Sequence, residues 1–94
     1  MLRIRKSKLE LVKELIGKVK NTTLNDILSK KEINFYNEYY EIIVWFNQNP
    51  FPHVVIQVED IKNNKTLALY HDIETKKEYE FYLEKIEKIL LARI

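Results

Sequence analysis

Cysteine is absent from these 94 residues, glycine occurs once and proline twice. Without cysteine there is no disulfide framework, no thiolate metal site and no thiol nucleophile. A single glycine, Gly17, rules out a glycine-rich phosphate loop of either the dinucleotide or the P-loop kind. Long hydrophobic runs are missing too. The longest, Ile42–Phe46, has five residues, against about 20 for a membrane-spanning helix. The opening stretch MLRIRKSKLELVK contains no apolar core of a secretory signal. These absences lead us to expect a soluble, cytoplasmic protein with no cofactor, no bound metal and no membrane partner.

Apolar residues are plentiful at 46%, enough to fill the core of one small domain over 1–94. The formal charge is +2, but it is unevenly placed. Residues 1–31 hold nine Lys/Arg against three acids, whereas 32–94 hold seven against eleven. The basic third therefore carries a net +6 and the remainder a net −4. Such a split marks a face for an anion, a nucleic acid or an acidic protein. The lean towards Lys, Ile and Asn fits an AT-rich coding sequence, as in many microbial, viral or mobile-element genomes.

Along the chain, Met1–Lys6 alternates apolar and basic residues and reads as a basic arm or a short edge strand. Ser7 and Glu10 form a capping-box pair ahead of Leu9, Leu11, Val12, Leu15, Ile16 and Val19, which predicts a helix over 7–20. Thr23 with Asp26 offers a weaker cap for a short second helix carrying Leu24, Ile27 and Leu28. The run Tyr39–Phe46 is almost wholly β-branched or aromatic, so a strand is preferred there. Two further strands, 53–61 and 66–73, are expected around an Asn63–Asn64 hairpin turn. That turn opposes Val54 to Ile73, Ile56 to His71 and Val58 to Leu69. Thr75 and Glu78 then cap a last amphipathic helix running to about Arg93, whose wide apolar face could serve a homodimer. The expected fold is α+β: an N-terminal helix plus a short helix, a three-stranded antiparallel meander and a C-terminal amphipathic helix.

A helical 34–46 gives the alternative. Three helices, a hairpin and a last helix resemble the winged-helix DNA-binding family in element order, with the C-terminal helix used for dimerisation. The resemblance implies that Asn34, Asn37 and Tyr40 would face bases, with Lys62 and Lys65 on phosphates.

Catalytic patterns are thin. His71 falls on the apolar face of the expected hairpin and reads as a core histidine. His53, opposite Glu74 with Asp72 nearby, reads as a surface His–Glu pair, with a divalent metal the less favoured alternative. Glu74–Thr75–Lys76 and Asp60–Ile61–Lys62 resemble the (D/E)-x-K half of the PD-(D/E)xK nucleases. The acid that family needs on the preceding strand is missing, because His53 stands in its place. Ser7 is spent on capping, and Ser29 has no histidine near it in sequence.

The remaining candidates are surface residues. Arg3, Arg5, Lys6, Lys8, Lys18, Lys20, Lys62 and Lys65 are the candidate contacts to an acidic partner or nucleic acid. Tyr36, Tyr39, Tyr40 and Phe51 are the candidate aromatic anchors. The function expected from these features is a small non-enzymatic binding module, an inhibitor or adaptor. Its partner would be a macromolecule, a protein in preference to nucleic acid.

Overall fold

The computed structural model describes residues 6–94. The elements are α1 (Lys8–Lys20), α2 (Leu24–Lys30), β1 (Glu32–Tyr36), β2 (Tyr40–Asn47), β3 (His53–Asp60), β4 (Lys65–Ile73) and α3 (Lys76–Leu91). The strands form one antiparallel sheet in the order β1-β2-β3-β4. The α+β fold is as expected, but the meander has four strands rather than three. The residues Met1–Lys6, expected as an arm or edge strand, lie outside the described residues except for Lys6, which leads into α1.

The added strand comes from residues 32–36, and Asn37 explains why this segment is not helical. Its side-chain oxygen accepts from the backbone N–H groups of Tyr39 and Tyr40, each at 2.8 Å, and its own N–H donates to the Tyr40 carbonyl at 3.0 Å. Those donors are thereby committed to a tight turn in place of helical bonds. The winged-helix alternative, which needed a helix over 34–46, is thus overturned by the turn and the two strands it joins.

All three helices start at the residues expected to cap them. Ser7 accepts from the Glu10 N–H, while Thr23–Asp26 and Thr75–Glu78 form complete capping boxes. Helices α1 and α3 pack on one face of the sheet. There Val12, Leu15, Ile16 and Val19 meet Leu83, Ile86 and Leu90 above Ile42, Val44, Ile56 and Val58. Each such side chain, once fully buried, contributes about 1.5–3 kcal/mol. Ile27 of α2 and Ile73 at the end of β4 complete this core.

Strand β4 departs from the uniform register expected of it. Val54 opposes Ile73, but Ile56 opposes Tyr70, so His71 and Asp72 together stand against Val55. Asp72 adopts φ 61°, as the extra residue of a bulge does. A second shift follows between Val58 and Glu59. His71, expected on the core face, is therefore exposed, and Tyr70 takes its place, stacked on Tyr82 at 4.6 Å. The hairpin loop is also longer than expected. It spans four residues, 61–64, because Asp60 accepts from the Asn63 backbone and side chain at 3.2 and 2.8 Å.

The second face of the sheet carries no helix among the described residues. Its outward side chains include Glu32, Asn34 and Tyr36 from β1, Glu41, Ile43 and Trp45 from β2, and Val55, Gln57 and Glu59 from β3. The edges differ as well. Hydrogen bonds from Phe46 N to Lys31 O (2.8 Å) and from Asn37 N to Tyr40 O (3.0 Å) set the phase of β1. Glu32, Asn34 and Tyr36 consequently turn their backbone N–H and C=O groups outward, where no described strand pairs with them. The opposite edge, β4, is interrupted by its two bulges.

Candidate binding cleft

Four chain segments far apart in sequence meet at one end of the molecule, and side chains tie them together. The Asn37 amide donates to the Leu11 carbonyl at 3.2 Å, fixing the β1–β2 turn to α1. The Ile61 N–H donates to the Tyr39 carbonyl at 2.9 Å, fixing the β3–β4 loop to that turn. The Arg93 guanidinium reaches Asp60 at 2.9 Å, and the Lys8 ammonium donates to the Arg93 carbonyl at 3.3 Å. The start of α1 and the end of α3 are thereby locked to the hairpin tip.

Between these segments lies an open cleft of about 650 Å³, bordered by Lys6, Ser7, Lys8, Glu38, Tyr39 and Lys62. A second depression of about 590 Å³ adjoins it and adds Asp60, Asn63 and Arg93. Tyr39 is the centre of the arrangement. The Lys8 and Lys62 ammonium groups lie 5.1 and 4.6 Å from its ring centroid, and Lys8 is also 5.5 Å from the Tyr40 ring. Each contact is worth about 0.5–1 kcal/mol at an exposed site.

The cations of the cleft are mostly answered by carboxylates. Lys6 pairs with Glu14, Lys62 with Glu38 at 3.7 Å, and Arg93 with Asp60. The hydrogen bond to Glu14 raises the Lys6 pKa, and those to Asp60 and Tyr40 raise that of Arg93. Hydrogen bonds from Asn63, joined by Arg93, hold the Asp60 carboxyl below its ordinary range despite partial burial. The Lys6–Glu14 and Lys62–Glu38 pairs are exposed, so water and salt screen them and each contributes little.

Of the residues singled out in the sequence, Lys6, Lys8, Lys62 and Tyr39 are brought together here. Lys18 and Lys20 lie towards the other end of α1, where Lys20 pairs with Glu87 at 3.0 Å. Lys65 opens β4 and is exposed outside the cleft, and Arg3 and Arg5 fall outside the described residues. Tyr36 is 70% exposed on the helix-free face, and Phe51 sits at the far end of the strands against His53, 5.0 Å between rings. Tyr40 is corrected as an anchor: it is 2% exposed and belongs to the core. The pairing of Arg93 with Asp60 was not anticipated, since in the sequence Asp60 reads only as the acid of a (D/E)-x-K triplet. The available signal was an arginine continuing the apolar spacing of the expected last helix; in the structure it lies just past α3, where a carboxylate can answer its charge.

His53 lies at the end of β3 away from the cleft and is buried rather than part of a surface pair. Its Nδ1–H donates to the Phe51 carbonyl at 2.7 Å. Among the described residues, no three His, Asp or Glu side chains gather as metal ligands. No helix there is long and apolar enough to cross a membrane. Compared with protein-family models, with curated proteins and with solved structures, the chain matches none of them.

Proposed function

We propose that this chain is a non-enzymatic binding module whose cleft receives an acidic segment of a protein partner. The convergence of Lys8 and Lys62 on Tyr39 carries this reading. Both ammonium groups are held in place before any partner arrives, which lowers the ordering cost of binding. The pairing with Glu14 and Glu38 favours a protein over nucleic acid, because a phosphate backbone rewards dense, unneutralised positive charge. The lysines also occupy the space over Tyr39 that a stacked base would need. Stoichiometric binding, as by an adaptor or inhibitor in the cytoplasm, accords with this picture.

Fluorescence anisotropy with a labelled glutamate-rich dodecapeptide and with a labelled DNA duplex, across a salt series, tests it. The peptide is expected to bind, and a Lys8→Gln/Lys62→Gln double variant to weaken it about tenfold, or 1.4 kcal/mol. Tighter binding of the duplex with a steep salt slope would replace the protein partner by nucleic acid.

A further inference from the structure

We propose that the helix-free face of the sheet is a second docking surface, fitted to a cationic and apolar segment of another protein. This inference does not rest on the cleft, because it uses none of the cleft's lining residues, although the Glu41–Glu59 pair is next in register to Tyr40–Asp60 at the cleft end of the sheet. Three observations carry it. First, the face has an apolar centre, where Ile43 and Trp45 are partly exposed and Leu69 is 45% exposed. Leu69 opposes Gln57, which in turn opposes Ile43, so the apolar groups span adjacent strands. An uncovered sheet face of this kind is a natural contact surface.

Second, its charge is of one sign. Glu32, Glu41 and Glu59 point outward from β1, β2 and β3, and among the described residues none that faces outward with them on the strands is Lys or Arg. In a chain with 16 Lys/Arg among 94 residues, a lysine cluster means little, but a surface without any lysine is selective. Third, Glu41 and Glu59 are direct cross-strand partners, a like-charge arrangement that is unfavourable in the free sheet. Neighbours hold both carboxylates in place: Thr66 donates to Glu59 at 2.8 Å, Gln57 donates to it as well, and Asn34 reaches Glu41 at 3.4 Å. A partner's ammonium or guanidinium group set between them removes the repulsion, while its apolar side chains cover Trp45 and Leu69.

Trp45 is the only tryptophan in the chain, so its emission reports on this face alone. The probe is a decapeptide of alternating lysine and leucine, with a glutamate–leucine decapeptide as control, titrated into the full chain. A saturable shift of Trp45 emission is expected with the lysine peptide only. Glu41→Gln/Glu59→Gln should weaken it about tenfold, whereas Lys8→Gln should leave it unchanged. Removal of two like charges should not unfold the sheet, which circular dichroism of the variant verifies. An unchanged emission, or an equal response to both peptides, would overturn the proposal. So would emission that depends on protein concentration alone with a dimer in sedimentation, since the face would then belong to a second copy.

Discussion

Two single residues give clean tests of local energetics. Gly17 sits inside α1, and a Cβ built there meets nothing within 4 Å. Gly17→Ala is therefore expected to stabilise the protein by about 0.5–1 kcal/mol through helix propensity alone. A higher urea midpoint at constant m-value would show it. Tyr79 presents the opposite case. Its ring is 3% exposed and its hydroxyl is buried with no hydrogen-bond partner among the described residues; burial, assisted by the Asp26 charge, pushes its pKa up to about 12. Tyr79→Phe removes that orphaned group and keeps the ring, so a gain of about 1 kcal/mol is expected in thermal or urea unfolding. A loss of stability would mean that the hydroxyl has a partner in solution. The helical spacing of Tyr79 with Leu83, Ile86 and Leu90 was legible in the sequence. The stranded hydroxyl was not, because satisfaction of a polar group depends on what the other elements bring to it.

At the scale of elements, the sequence was most informative where a short-range mechanism decides the outcome. Ser7, Thr23 and Thr75 each cap a helix, since a cap depends only on residues three apart. The β4 register was not legible, because a bulge is a compromise between strands and leaves little local mark beyond an Asp able to adopt positive φ. The Asn37 turn was not legible in the sequence, where Asn37 figures only in the helical alternative; its side-chain bonds to Tyr39 and Tyr40 depend on the strand that follows. Capping also sets a pH dependence. Hydrogen bonds from Thr23 hold Asp26 below the ordinary carboxylate range, as those from Asn63 and Arg93 do Asp60. A carboxyl with a depressed folded pKa contributes stability that is fully present above its unfolded value, about 4, and lost as pH falls through the folded value. The urea midpoint should thus fall with acidification below about pH 4. In Asp26→Asn, which can still accept from Thr23, that fall should be shallower. An identical acid limb in the variant would show that the cap is not linked to protonation.

For the whole molecule, the charge asymmetry of the sequence became two surfaces rather than two halves of the chain. Lys6 and Lys8 could be named from sequence, but only the closure of the meander brings them beside Tyr39, Lys62 and Arg93. The hairpin's alternation did show Val54, Ile56 and Val58 as the side to be covered, and they are in the core; what it did not show is which residues β1 and β2 add to the open side, since β1 was not expected. Since the two surfaces share no residue named in their tests, Lys8→Gln and Glu41→Gln/Glu59→Gln are expected to act separately. The sheet edges carry a last implication. Strand β4 is bent by two bulges, while β1 leaves the backbone groups of Glu32, Asn34 and Tyr36 unpaired among the described residues. A sheet open to a new strand on one side only can join once, edge to edge, but has no second flat edge from which to propagate. Among the described residues the sheet thus presents one regular free edge, β1, and one kinked edge, β4, an asymmetry that disfavours repeated edge-to-edge pairing.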